Sequence, residues 1–409
     1  MTVTFSPSRL SGTVQAPPSK SMGHRMLICA GLAAGNSTVT GISHSQDMLA
    51  TMELLQGLGA VCARRADDDT VVDVQGNDPA SAAPETPLNC RECGSTLRFF
   101  IPICLLSDKP VTLTGEPRLF ERPLGVYEDL CRDLGLTFDL DTATPKLTLR
   151  GPLRGGHFTL RGDVSSQFIT GLLLALPLCA EDSVLHILPP LESRPYLDLT
   201  LSALALYGIK AEWLDDLILR IPGGQTYHST DAIVEGDYSN TAFFHALATV
   251  GHDVAVTGLR EDSLQGDRVY RVFYPLLTNG RPILDISDCP DLGPVLMAVA
   301  AAKQGAIFTG TRRLRIKESD RAAAMAEELA KFGVSVTVEE DTVIVDPTDF
   351  HMPDAVLYGH NDHRIVMALC TLLTLTGGTL HGAEAVSKSL PDYFDLLLSL
   401  GADVAVADI

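Results

Sequence analysis

The sequence predicts an α/β protein of two domains built from six related modules, three in each. Three observations carry this. The chain has 409 residues, too many for one compact core, so two domains are expected. Hydrophobic residues make up 45% of it, enough for well-formed interiors. One pattern also recurs about every seventy residues: a helical apolar stretch, a glycine, then an alternating strand.

The six occurrences come in order. The first three are Glu53 to Val61 around Gly59, Leu130 to Leu136 around Gly135, and Leu204 to Ile209 around Gly208. The fourth, Leu276 to Gly280, is looser. The fifth runs from Leu329 to Val334 around Gly333, and the sixth from Leu397 to Val404 around Gly401. Each glycine suits the left-handed position just past a helix C-terminus.

Composition narrows the function. A formal net charge of −20 argues against nucleic acid or an anionic membrane as partner. No basic-then-apolar opening resembles a signal peptide. The apolar run Gly171 to Leu178 is too short to span a bilayer and reads as a buried helix. Nine cysteines, an odd number scattered from Cys29 to Cys370, read as reduced thiols of a cytoplasmic protein. Cys90-Arg91-Glu92-Cys93 lacks the second pair that a zinc site wants, and His360 with His363 would make half a site. No metal is expected.

The chemistry concentrates in short polar stretches at helix starts. Lys317-Glu318-Ser319-Asp320-Arg321 opens the helix-forming run Ala322 to Leu329. If one first turn holds both Lys317 and Arg321, they share a face. Cations there oppose the helix dipole, which marks a place where an anion is held. Five further stretches share this character. Pro17 to Arg25 precedes a helix Met26 to Ala34, Glu92 to Arg98 precedes the run Phe99 to Leu106, and Gly115 to Pro123 is a kinked loop. Gly162 to Gln167 leads into a helix Phe168 to Leu178 and is echoed by Gly236 to Asn240; Asn361 to Arg364 opens a helix Ile365 to Leu373, with Asn361 or Asp362 as cap. Lys20, Arg25, Arg98, Arg118, Lys317, Arg321, Arg364 and Lys388 all stand beside Gly, Ser, Pro or cap residues. Together they could neutralise about five or six negative charges, the load of two small substrates each with a phosphate and a carboxylate. Their mutual repulsion is expected to be tolerable only when ligands fill the site.

Taken in order, Pro18-Ser19-Lys20-Ser21, Gly94-Ser95-Thr96-Leu97-Arg98, Gly115-Glu116-Pro117-Arg118, Asp163-Val164-Ser165-Ser166-Gln167-Phe168, Lys317 to Arg321, Asn361-Asp362-His363-Arg364 and Leu390-Pro391-Asp392-Tyr393-Phe394 resemble the motifs of the 5-enolpyruvylshikimate 3-phosphate synthases. These are enolpyruvyl transferases of the shikimate pathway, and the resemblance covers nearly the whole chain. It implies an α+β arrangement of two domains with three βαβαββ units each. Residues 16–232 would form one domain, and residues 1–15 with 233–409 the other, with the active site in the cleft between them. The chain departs from the family pattern at His24, where Asn is frequent, at Glu92-Cys93-Gly94-Ser95, and at Arg313-Leu314.

The resemblance also implies roles. Lys20, the Gly94 backbone, Arg118, Gln167, Arg321, Arg364 and Lys388 would hold phosphoenolpyruvate. Lys20, Ser21, Arg25, Ser165, Ser166, Gln167, Ser193, Tyr196, Asp291 and Lys317 would hold shikimate 3-phosphate, whose phosphate enters the Ser165-Ser166 cradle. The 5-hydroxyl attacks C2 of phosphoenolpyruvate while C3 is protonated, and the tetrahedral intermediate expels phosphate. Asp291, working with Lys317, is the expected base, Glu318 the expected acid, and Lys20 a third catalytic residue. Each proton transfer is worth ~10²–10⁴-fold. A carboxyl among cations tends toward a low pKa, so Glu318 must be partly desolvated or coupled to donate. No cofactor is implied. The two small molecules are the only partners, a monomer is expected, and closure would hinge near residues 15–19 and 228–236.

Three rivals are weighed against this. The sister transferase acting on a UDP-sugar places a Cys in the loop equivalent to Gly115–Arg118, and this loop has none. A non-catalytic sensor of phosphorylated ligands would share the cations without turnover. A cyclase of RNA ends would want the basic and aromatic patches this acidic chain lacks.

Overall fold

The helix-ending glycines turn the chain out of each helix and toward its next strand. In the computed structural model of the chain, which describes residues 1–407, Gly135 sits at φ +67° after the helix Gly125–Leu134. Its N–H donates to the Arg132 carbonyl at 3.2 Å, and the Leu136 N–H to the Cys131 carbonyl at 2.8 Å. This paired closure satisfies carbonyls the helix leaves open. Gly59, Gly208, Gly333 and Gly401 repeat the same backbone and the same pair of bonds.

In the second module the chain passes from that turn into a hairpin, Thr137–Asp141 with Lys146–Arg150. The hairpin adds to two parallel strands, Leu88–Asn89 and Val111–Thr114, that the helix Gly94–Cys104 connects. The module therefore reads β-α-β-α-β-β. Its four strands lie in the order first, second, fourth, third, parallel across the first pair and antiparallel thereafter. Four other sheets share this order and pattern. Two of those are completed from far along the chain. Thr2–Ser6 lies between Gly378–His381 and Asp403–Ala407, and Ala232–Ile233 pairs in parallel with Asn36–Thr40.

The sixth sheet has two parallel strands, Ser11–Gln15 and Asp253–Thr257. Here the loose fourth repeat has its physical reason. Gly280 has φ 168°, extended backbone rather than a left-handed cap. The chain runs from it directly into Ile283–Asp285, the first strand of the next module. That missing hairpin also shortens the interval from Gly280 to Gly333, which is 53 residues.

The chain divides into two compact units: Lys20–Glu235, and Met1–Ser19 with the stretch from Gly236 onward. Each has its own apolar core. The crossings fall at 19/20 and 235/236 instead of 15/16 and 232/233. Pro18 and Gly236 bridge side by side, and the Asp237 N–H donates to the Pro17 carbonyl at 2.8 Å, so both crossing segments stay with the core of the unit from Gly236 onward.

Helices start earlier than their apolar runs, because polar first turns are helical too. Lys20–Leu32 includes Ser21, His24 and Arg25, and the other starts are Gly94, Ser166, Tyr238 and His363. The run to Leu178 is helical to Ala175 and tightens to a 3₁₀ turn over Leu176–Leu178. Among the described residues no helix is long and apolar enough to cross a membrane.

The two glycine classes separate in a simple measurement. Nothing stands within 4 Å of a Cβ placed at Gly135 or Gly280, so backbone strain alone decides. Gly135→Ala should lower urea-unfolding stability by about 1 kcal/mol, and Gly280→Ala by clearly less.

Candidate active site

In the unit that includes Gly236 onward, the polar residues gather on one buried cation. The helix begins at Arg321, with Asp320 as its cap accepting from the Ala323 N–H at 3.1 Å. Lys317 therefore lies outside its first turn, after the 3₁₀ turn Arg312–Ile316. The expected shared helical face does not exist, yet both cations reach Asp291. Arg321 Nη1 donates to Asp291 Oδ1 at 2.8 Å, and Lys317 Nζ lies 3.1 Å from the same oxygen. Arg321 Nη2 donates to Glu318 Oε2 at 2.7 Å, and Nε to Asp362 Oδ2 at 2.8 Å. The guanidinium is 1% exposed. Such a group persists in an interior only when its donors meet carboxylates.

Asp362 links this cation to the next helix. It caps His363–Thr376 by accepting from the Arg364 N–H at 2.9 Å, and it also accepts from Ser319 Oγ at 3.0 Å. The preceding residues His360 and Asn361 sit at φ +49° and +52°, a costly left-handed pair for non-glycine residues. Two ties hold them: His360 Nε2 bonds Glu328 Oε1 at 2.8 Å, and Lys388 Nζ donates to the Asn361 carbonyl at 2.6 Å. The turn aims Arg364 at Asp291, with Nη1 donating to its carbonyl oxygen at 3.1 Å and Nη2 to Oδ2 at 3.4 Å.

Electrostatics follow from this packing. Burial opposes ionisation of Asp291, but Arg364, Lys317 and Arg321 outweigh it and hold its carboxyl well below the usual range. Burial lowers Lys317, and Asp291 offsets part of that. Burial also disfavours charge on Arg321, which Asp362, Glu318 and Asp291 reverse, so its pKa is raised. Asp267, in the 3₁₀ turn Gly266–Val269, behaves oppositely. Burial and then the Asp291 charge push it up to about 6, against the lowering effect of Arg364 and Ser239.

In the unit Lys20–Glu235, Lys20 Nζ donates to Asp47 Oδ2 at 2.8 Å. Arg25 is turned inward. Nε donates to Thr200 Oγ1 at 2.9 Å, Nη1 to the Ser21 carbonyl at 2.6 Å, and Nη2 to the Tyr196 carbonyl at 2.9 Å. It thereby ties Lys20–Leu32 to the helix Arg194–Leu206, whose cap Ser193 has φ +60°. Burial lowers the Arg25 pKa to about 10. Arg98 Nη1 donates to Gln167 Oε1 at 2.7 Å, while Gln167 Nε2 donates to Ser95 Oγ at 2.9 Å. Ser165 caps Ser166–Ala175, accepting from the Gln167 N–H at 3.3 Å.

Arg118 is placed differently from the rest. It is 49% exposed and pairs with Glu121 one turn along its own short helix, Pro117–Glu121. Arg122, which the motifs do not single out, is buried. A Cβ at Gly94 would come within 2.5 Å of its Nη1, so Gly94 is the residue that lets this guanidinium lie against the start of Gly94–Cys104. Asp47, Asp267 and the linking role of Asp362 escape sequence reasoning as well, because their partners are distant in sequence.

The fold and this charge cluster define the class first. The EPSP synthase structure from Acinetobacter baumannii matches all of both chains at TM-score 0.81 and 22% identity. The enolpyruvyl transferase NikO from Streptomyces tendae matches 99% of this chain and 98% of its own at TM-score 0.78 and 17% identity. The architecture is thus the two-domain enolpyruvyl transferase fold. The sequence matches the model of the EPSP synthase (3-phosphoshikimate 1-carboxyvinyltransferase) family over residues 5–397. A curated 3-phosphoshikimate 1-carboxyvinyltransferase from Clostridium kluyveri is 37% identical over 422 aligned positions, covering 98% of each chain. The chain belongs to the EPSP synthase family.

Two measurements test the cluster. Asp362→Ala leaves Arg321 short of two acceptor oxygens and should cost about 3–5 kcal/mol in unfolding stability. Asp267 holds a proton more tightly folded than unfolded between 3.8 and about 6, so its ionisation costs stability as pH rises through that window. The unfolding free energy of Asp267→Asn, minus that of the parent, should therefore increase from about pH 4 to about pH 6. A difference that stays flat would mean Asp267 titrates normally.

Proposed function

We propose that the chain transfers the enolpyruvyl group of phosphoenolpyruvate to the 5-hydroxyl of shikimate 3-phosphate, by addition and elimination of phosphate. The single observation that carries the residue assignment is the set Lys317, Arg321 and Arg364 around the carboxylate of Asp291. Membership of the EPSP synthase family supports the reaction itself.

Asp291 is the base in this reading. Its three cations keep it ionised, so it can accept the hydroxyl proton when that oxygen attacks C2. Lys317, bonded to the same carboxylate, steadies the charge that develops on the oxygen. Glu318, held by Arg321, takes up a proton from solvent and delivers it to C3. Arg321, Arg364, Lys388, Lys20 and Gln167 bind phosphoenolpyruvate, together with the Gly94 backbone. We assign Arg122 to that set in place of Arg118, because Arg122 is buried beside Gly94 while Arg118 points outward to Glu121. Ser165, Ser166, Ser193, Ser21 and Lys20 receive shikimate 3-phosphate. Arg25 acts at one remove, since its guanidinium is turned inward to Ser21, Tyr196 and Thr200. Catalysis then rests on positioning and on charges already in place. The protein works as a monomer on these two small molecules.

Phosphate release from phosphoenolpyruvate should depend on shikimate 3-phosphate. Release dependent instead on a UDP-sugar would assign the sister activity, and binding without release would make the protein a sensor. Lys20→Ala, Glu318→Gln and Arg364→Ala should each lower kcat by about a hundredfold or more with the fold retained. Arg122→Ala should lower kcat/KM by a similar factor, and Arg118→Ala by less than about tenfold. The reverse order would restore Arg118 to the site.

A further inference from the structure

We propose that His24, Cys93 and Asp47 form a binding site for one thiophilic divalent metal ion, zinc or cobalt. One ligand atom from each residue lies within 4.8 Å of the other two. Three elements far apart in sequence bring them together: the helix Lys20–Leu32, the first turn of the helix Gln46–Gly57, and the cap of the helix Gly94–Cys104. His24 and Cys93 are buried, and the Asp47 side chain is 13% exposed.

The imidazole is oriented as a ligand. His24 Nδ1 bonds Thr51 Oγ1 at 2.7 Å, and Thr51 bonds Thr96 Oγ1 at 2.8 Å. Metal-bound histidines are commonly fixed this way, through a hydrogen bond on the nitrogen that does not bind. The remaining Nε2 faces Cys93 Sγ at 3.9 Å. Tetrahedral zinc, with Zn–N about 2.0 Å and Zn–S about 2.3 Å, separates such atoms by about 3.5 Å. A shift of a few tenths of an ångström would therefore bring this pair to the separation of two zinc ligands.

The sulfur already faces one backbone donor. It accepts from the Thr96 N–H at 3.3 Å, at the N-terminal end of an 11-residue helix, where a thiolate is favoured. Without an ion, burial pushes the thiol up to about 12. Metal binding is therefore a proton exchange: the S–H bond breaks, the S–metal bond forms, and one proton leaves to solvent with no change of oxidation state. Asp47 supplies the third ligand. Its Oδ2 already accepts from Lys20 Nζ, so the ion and Lys20 compete for one carboxylate.

A second group of potential ligands, Glu327, Glu328 and His360, has no sulfur. Its Glu328 oxygens already take bonds from Lys331, the Tyr358 N–H and His360. This difference gives the test a spectroscopic handle.

The full chain, stripped with chelator and kept reduced, is titrated anaerobically with cobalt(II). A near-ultraviolet thiolate-to-cobalt band should saturate at about one ion per chain and be displaced by zinc. Calorimetry of zinc binding in two buffers should show about one proton released per ion. Cys93→Ser should abolish the band. His24→Asn, which keeps a partner for Thr51, should weaken cobalt binding at least tenfold with an unchanged far-ultraviolet spectrum. Absence of the band in the parent chain overturns the proposal whether or not Cys93→Ser folds. So does cobalt affinity unaltered in His24→Asn, or a band that survives in Cys93→Ser.

Discussion

A guanidinium shut away from water is the constraint around which the unit from Gly236 onward is arranged. Arg321 cannot lie in an interior alone, and its five N–H donors require acceptors held at fixed directions. Three carboxylates meet them, one each from the segments bearing Asp291, Glu318 and Asp362. Each carboxylate then has a second task. Asp291 collects Lys317 and Arg364, and Asp362 starts the helix that carries Arg364. Glu318 is fixed in direction by its bond from Arg321. Structural necessity and the arrangement of the reacting groups thus come from the same set of bonds.

That arrangement changes how the cations of an acidic protein should be understood. A crowd of bare positive charges would need its ligands in order to be stable. These charges are paired beforehand: Lys20 with Asp47, Lys317 with Asp291, and Arg321 with three partners. Lys388 rests on the Asn361 carbonyl. An arriving anion therefore enters a network whose geometry is already set, and little reorganisation remains for the reaction step. The cost is carried by strained or burdened neighbours, such as the left-handed pair His360 and Asn361 and the carboxyl of Asp267.

Much of the architecture was legible because it depends on local rules. A glycine after a helix means a left-handed cap, and five of the six repeats obey. Even the looseness of the fourth repeat carried information, since the residues around Gly280 lead into no hairpin. The charged motifs were legible for the same reason, as caps and first turns have short-range signatures. Pairings between distant residues leave no such trace. Nothing near Lys20 points to Asp47, and nothing near Arg321 points to Asp291 or Asp362. Arg118 drew attention through its flanking residues, whereas Arg122 matters through burial, which spacing does not report.

Cys93 shows where that limit lies. In the sequence it belongs with Cys90, and the pair looks too small for a metal. In the folded unit its nearest chemistry is His24, 69 residues away, and a carboxylate on a third element. The same module geometry that sets Gly94 against Arg122 brings the start of its helix close to Lys20–Leu32. His24 and Cys93 therefore meet at one point, and Asp47 joins them there while still holding Lys20. An ion at that point would draw on the carboxylate that anchors a proposed substrate-binding lysine, so metal binding and the charge at Lys20 are linked through a single side chain.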